Sequence, residues 1–255
     1  MIFLNINING LNINYSVVGK GEPILLLHGW GSSMVVWQSI INNLKDRYTL
    51  FALDFPGCGE SDLPKEPLTI IDYENLVLEF CKELNIVNPI VMGHSHGGRV
   101  ALSLMCKKLL TVNKAVLFDS AGIVAKKPLK TRIKIKTFKI AKWFLTLPLI
   151  KNYTAEALNT LRNYFGSSDY KSAPDVMRKT LVNVVAVDLK DSLKNITAPT
   201  LLVWGDKDTD TPLKNAVLME KLIPDCGLCV LKDCGHFALI EKPYDVNAIL
   251  NSFLR

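Results

Sequence analysis

Six short apolar runs punctuate the chain, each closed by glycine: PILLLHG (23–29), YTLFALDFPG (48–57), PIVMG (89–93), KAVLFDSAG (114–122), PTLLVWG (199–205) and GLCVLKDCG (227–235). The apolar residues are continuous, not alternating, which suits strands covered on both faces. Most of the runs lead into a helically spaced pattern. Strand and helix in alternation predict βαβ units and a mostly parallel sheet. The start is different. FLNINING and LNINYSVVG alternate apolar with polar residues, which predicts an antiparallel hairpin turning at Asn9-Gly10.

The rhythm breaks between Ile123 and Val187, where no strand pattern occurs. Ile133, Ile140, Phe144 and Leu147 lie at helical spacing with lysines between them, an amphipathic face. The expected organisation is therefore an α/β core over 1–122 and 188–255, with a helical insert over 123–187. Such an insert would cover the ends of the strands, where open α/β sheets place their ligand sites.

Composition narrows this little. A chain of 255 residues suffices for one α/β core plus an insert. No run approaches the roughly 18 apolar residues of a membrane span, so stable membrane insertion is not expected. No basic residue precedes the first apolar ones, and their alternation reads as strand, not as a signal peptide. The six cysteines show no disulfide-framework spacing, so reduced thiols and a cytoplasmic location are expected. Cys226 and Cys229 form a C-x-x-C with Cys234 nearby, but no second ligand pair completes a zinc site.

Charge changes the picture more. The net charge is +6, yet the window from Ser120 to Ala155 holds nine basic residues and no acidic one. The rest carries 21 basic and 24 acidic residues, a net of −3. The positive charge belongs to the insert alone. Nucleic acid is thus not an expected partner.

The candidate chemistry begins at Gly93-His94-Ser95-His96-Gly97, a G-x-S-x-G between a predicted strand and a predicted helix over Arg99 to Leu110. A sharp strand-to-helix turn needs glycines at its flanks, lifts the serine hydroxyl over the sheet and puts the next N–H at a helix start. A serine hydroxyl needs a base. Of the four histidines, His94 and His96 are too close to Ser95 to turn their rings onto it, and His28 suits a structural turn. His236, after the last strand run, is the candidate base. Asp206, Asp208 and Asp210 in VWGDKDTDTP, and Asp119 after another strand, are rival acids. The backbone N–H groups of His96 and of Trp30 in LLLHGWGSS are candidates for an oxyanion hole.

Taken together, HGWG, LDFPGCGESD, GHSHGGRVAL, PTLLVWGDKD and DCGHFALIEKP resemble, in order and over nearly the whole chain, the α/β-hydrolase superfamily and its lid-bearing α/β-hydrolase-1 type. The order Ser, acid, His is that of this fold. The resemblance implies an eight-stranded, mostly parallel sheet flanked by helices, with a helical lid after the sixth strand. It places the acid on Asp208, the last residue of W-G-x-x-D, and gives the Asp54–Ser61 turn a structural role. A serine at the elbow favours acyl transfer over the Asp-dependent dehalogenase and epoxide chemistry of relatives.

The implied mechanism is acyl transfer through an acyl-enzyme on Ser95, with His236 as base and Asp208 orienting it. It needs no metal and no organic cofactor. The expected substrate is a small carboxylic ester. Carbon–carbon hydrolysis of ring-fission products is an alternative, as is methyl ester cleavage on an acyl group carried by an acidic carrier protein that meets the basic lid. A ligand sensor retaining the triad is the alternative of another class. Trp143, Phe144 and Leu147 are candidate pocket residues within the lid.

Overall fold

A computed structural model of the protein describes residues 2–124, 136–137, 140, 170–171 and 173–255. Its eight strands are β1 (Phe3–Ile8), β2 (Leu11–Gly19), β3 (Glu22–Leu27), β4 (Tyr48–Leu53), β5 (Ile90–His94), β6 (Ala115–Phe118), β7 (Thr200–Gly205) and β8 (Cys226–Leu231). They form one sheet in the order β1-β2-β4-β3-β5-β6-β7-β8. Pairing is antiparallel for β1–β2 and β2–β4 and parallel elsewhere. The predicted hairpin turns where expected. Asn9 and Gly10 take φ of 52° and 82°, the two positive values of a tight two-residue turn.

The continuous apolar runs have a simple cause. Successive side chains of a strand point to opposite faces. In β3, Leu25 and Leu27 enter one core while Ile24 and Leu26 enter the other. In β7, Leu202 and Trp204 oppose Leu201 and Val203 in the same way. Helices α2 (Ile70–Glu83), α3 (His96–Cys106), α4 (Asp175–Val185) and α5 (Leu213–Leu222) contribute to the first core. The second is covered by α1 (Gln38–Leu44), the short α6 (Ala238–Glu241) and α7 (Pro243–Phe253). Among the described residues, no helix is long and apolar enough to cross a membrane.

Two expectations are corrected. The run at 227–235 is not a doubly covered strand: β8 is the sheet edge, and its Val230 is 43% exposed. Cys226 packs toward one core and Cys229 toward the other, so the C-x-x-C thiols point to opposite sides of the sheet. The helix expected over Arg99 to Leu110 runs instead from His96 to Cys106. It ends where Lys108 takes a φ of 55° and Leu109 N–H bonds the Leu104 carbonyl, a left-handed stop made without glycine.

The Asp54–Ser61 turn ties the antiparallel and parallel parts together. Asp54 accepts the Met34 N–H at 2.6 Å and the Asn14 amide at 2.8 Å. Ser61 Oγ donates to the Asp54 carbonyl at 2.7 Å and accepts the Asn14 N–H at 2.9 Å. Between β6 and β7, α4 is a helix of the segment 123–187, most of which lies outside the described residues.

Candidate active site

The turn after β5 is tight enough to need its glycines. A Cβ on Gly93 would come 2.7 Å from the Gly98 Cα, and one on Gly97 would collide with the carbonyls of Leu27 and His28. Between them Ser95 is held at φ 50°, ψ −110°, a strained conformation for any side chain. Helix α3 starts at the next residue, so the His96 N–H lies in a first turn that offers it no helical acceptor.

Three side chains from separate loops meet there. His236 Nε2 lies 2.8 Å from Ser95 Oγ, and its Nδ1 lies 2.8 Å from Asp208 Oδ2. Nδ1–H donates to the carboxylate, which leaves Nε2 as the acceptor facing the Ser95 hydroxyl. Burial disfavours charge on His236, but the bond and the charge of Asp208, with Asp119 and Asp210 behind, outweigh it and raise its pKa. Burial likewise opposes the Asp208 carboxylate, and its bonds from His236 and Thr211 reverse the effect and lower its pKa.

Asp208 is fixed locally. Its Oδ1 accepts the N–H groups of Asp210 at 2.8 Å and Thr211 at 2.9 Å, and the Thr211 hydroxyl lies 2.6 Å from Oδ2. Asp206 is exposed, and the exposed Asp210 sits at the rim. The rival Asp119 is spent on the backbone: it accepts Gly205 N–H at 2.8 Å and Ala238 N–H at 3.2 Å. Its burial, with Asp208 nearby, pushes its pKa up to about 7 against those bonds.

The other histidines have distinct places. His28 Nε2 accepts the Phe55 N–H at 2.8 Å, so its Nδ1 carries the proton and donates to the Gly29 carbonyl at 2.7 Å. His94 Nε2–H donates to the His236 carbonyl at 2.8 Å. Burial pushes the His94 pKa down to about 3, so the ring is neutral. The His96 ring stands among Trp30, Phe55 and Tyr73, with centroids 5.8, 5.5 and 4.6 Å away. It too is neutral, its pKa lowered to about 3 by burial first and by Arg99 next.

Ser95, His96, His236, Trp30 and Arg99 line one cavity of about 520 Å³, closed on another side by Val184 of α4. The loop carrying Trp30 abuts the serine: a Cβ on Gly29 would lie 3.2 Å from the Ser95 Cβ. Trp143, Phe144 and Leu147 lie outside the described residues. Asp208, Asp210 and His236 could bring three ligand atoms within 4.8 Å of one another, but both His236 nitrogens already carry hydrogen bonds, to Asp208 and to Ser95, and a cation would displace one of them. Residues that sequence reasoning missed are His94, Thr211 and Arg99. The turn at Asp208 carried a local signal, since an aspartate commonly accepts the backbone N–H two residues on, here that of Asp210, and Thr211 follows it.

The chain belongs to the alpha/beta hydrolase fold family, whose model matches residues 22–243. Among curated relatives, it is 26% identical to the 2-hydroxy-6-oxo-6-(2'-aminophenyl)hexa-2,4-dienoic acid hydrolase of Metapseudomonas resinovorans, over 98% of this chain and 89% of that one. It is also 26% identical to the pimeloyl-[acyl-carrier protein] methyl ester esterase of Nitrosospira multiformis, over 93% and 96% respectively. Among solved structures, Est816, an N-acyl homoserine lactone degrading enzyme, superposes with a TM-score of 0.78 at 24% identity, covering 98% of this chain and 100% of that one.

Proposed function

We propose that the protein is a serine hydrolase, a carboxylesterase that cleaves small carboxylic esters through an acyl-enzyme on Ser95. The observation that carries this reading is the unbroken hydrogen-bond chain from Ser95 through His236 to Asp208. His236 takes the Ser95 proton as Oγ attacks the ester carbonyl, and gives it to the departing alcohol. Asp208 keeps the proton of the resting imidazole on Nδ1 and stabilises the imidazolium. The N–H groups of His96 and Trp30 receive the oxyanion. Water activated by His236 then releases the acid.

The segment 123–187 is proposed as a lid over this site. Supporting this, Leu181, Val184 and Val185 of its described helix α4 line the cavity. Two alternative readings use the same three side chains. One is carbon–carbon hydrolysis, after the dienoic acid hydrolase. The other is a methyl ester on a carrier-bound acyl group, after the methyl ester esterase. The second would use the basic stretch from Lys126 to Lys151 against an acidic carrier protein.

The test is hydrolysis of p-nitrophenyl acetate and butyrate, with fluorophosphonate labelling, for wild type and Ser95→Ala. Labelling and multiple turnover, both lost in the variant, are expected. Labelling without ester turnover would favour carbon–carbon cleavage or a sensor. No labelling would remove Ser95 as an activated nucleophile and overturn the reading.

A further inference from the structure

Arg99 stands four residues after Ser95, in the first turn of α3, and both line the same cavity. Its side chain lines the cavity that holds Ser95, yet the residue is only 6% exposed. Nη1 donates to the carbonyls of Val184 at 2.6 Å and Val187 at 2.7 Å, at and just beyond the end of α4. Both bonds leave one nitrogen of a group that offers five N–H donors. Among the described residues no carboxylate forms an ion pair with it. Asp188 attracts it from a distance, but Asp188 Oδ1 accepts the N–H groups of Val124 at 3.3 Å and Lys190 at 3.2 Å. Burial lowers the Arg99 pKa to about 10, with Asp188 opposing, so the guanidinium is charged at neutral pH.

A buried charge without a counter-ion is costly, and a planar guanidinium can pair with a carboxylate through two parallel hydrogen bonds. Lys214, exposed, lines the same cavity and adds a second positive charge. Asp210 also lines the cavity, but its carboxylate lies beside His236, within 4.8 Å of its ring nitrogen. The direction of the chemistry separates the two ends. His236 protonates the leaving group, so that group departs on the His236 side. The acyl part stays bonded to Ser95 on the side of α3 and α4, where Arg99 is.

We infer that Arg99 is an anion-binding residue and that the preferred substrate carries a carboxylate at the far end of its acyl chain, paired with this guanidinium. The scissile end of this assignment rests on the serine hydrolase reading; the anion subsite does not. A dicarboxylic acid esterified at one end has this chemistry.

The test compares kcat/KM for mono-p-nitrophenyl glutarate and p-nitrophenyl pentanoate in wild type, Arg99→Lys and Arg99→Gln. Beside it, calorimetry measures binding of free glutarate and of glutaramide to wild type and to Ser95→Ala. Wild type is expected to favour the glutarate ester by about tenfold, the scale of one charge-assisted hydrogen bond. Salt should reduce that preference. In Arg99→Gln the ratio should fall to near one, whatever happens to the absolute rates, and Arg99→Lys should keep part of it. A wild-type ratio near or below one, or an unchanged ratio in a natively folded Arg99→Gln, would overturn the assignment. Should Arg99→Gln fail to fold, binding to the native protein decides: glutarate about tenfold tighter than glutaramide supports it, and equal binding sinks it. If neither ester is turned over, the esterase reading fails and the binding arm still decides Arg99.

Discussion

His94 donates its Nε2–H to the carbonyl of His236 across 2.8 Å, so the residue before Ser95 anchors the backbone of the loop that brings the His236 ring to it. The two imidazoles lie 5.0 Å apart, and the neutral His94 leans on Phe237 at 4.9 Å. One side of the hydrogen-bonded chain is thereby fixed to the other through backbone, independently of the Ser95–His236 bond itself.

Replacing His94 with leucine removes that anchor while filling similar space. A misplacement near 1 Å in such a site can cost about 10²-fold in rate. We expect kcat on p-nitrophenyl butyrate to fall about 10- to 100-fold with KM little changed, and stability to drop about 1–3 kcal/mol. Steady-state kinetics with urea unfolding check both; an unaltered kcat would remove the anchoring role.

Asp208→Asn should keep the fold and lose about 10⁴ in kcat, as loss of the carboxylate does in serine triads of other folds. The amide cannot hold the imidazole proton on Nδ1 as the carboxylate does. A loss below tenfold would return Asp119 to contention.

The pH profile follows from the raised His236 pKa. The base works only when neutral, so log kcat/KM should rise with pH and level off above an apparent pKa higher than 6.5, the ordinary histidine value. Asp208→Asn removes the charge that favours the imidazolium, so the residual activity should titrate at lower pH. A wild-type midpoint below 6.5, or a shift upward in the variant, would contradict the assignment.

The glycines offer a contrast in stability. A methyl on Gly97 would strike the Leu27 and His28 carbonyls, which cannot move without disturbing β3. A methyl on Gly227, at the sheet edge, would make an ordinary contact of 3.8 Å with Leu201. Gly97→Ala should cost about 3 kcal/mol or more, since the clash is with backbone. Gly227→Ala should be neutral or gain about 0.5–1 kcal/mol. Denaturation midpoints of the two variants decide it.

The sequence made some of this legible for identifiable reasons. The central strands could be read because both faces are buried, and the Asn9-Gly10 hairpin because its turn chemistry is local. Ser95 was readable from its glycines. Asp208 was one of several acids until the family pattern chose it, although the Asp208–Thr211 turn is local and was there to be seen. The His94–His236 bond spans 142 residues and leaves no local trace. An arginine on a helix is ordinarily a surface residue, and no local pattern announces that Arg99 is buried and held by carbonyls at the end of α4. The edge position of β8 was hidden because its cysteines and valine look the same in a run whether or not a helix covers them.

Ser95 is held where few side chains rest comfortably, at φ 50° and ψ −110°. Such a conformation costs about 1–3 kcal/mol, and glycine at the same point would relieve most of it. Mutation toward a sturdier molecule therefore has a short path open here, and that path destroys the hydroxyl. A lineage selected only to fold would be expected to drift along it. The serine's presence against that gradient is what selection for a hydroxyl at this position would leave behind, and it weighs more for a working enzyme than for a fold kept only as a scaffold.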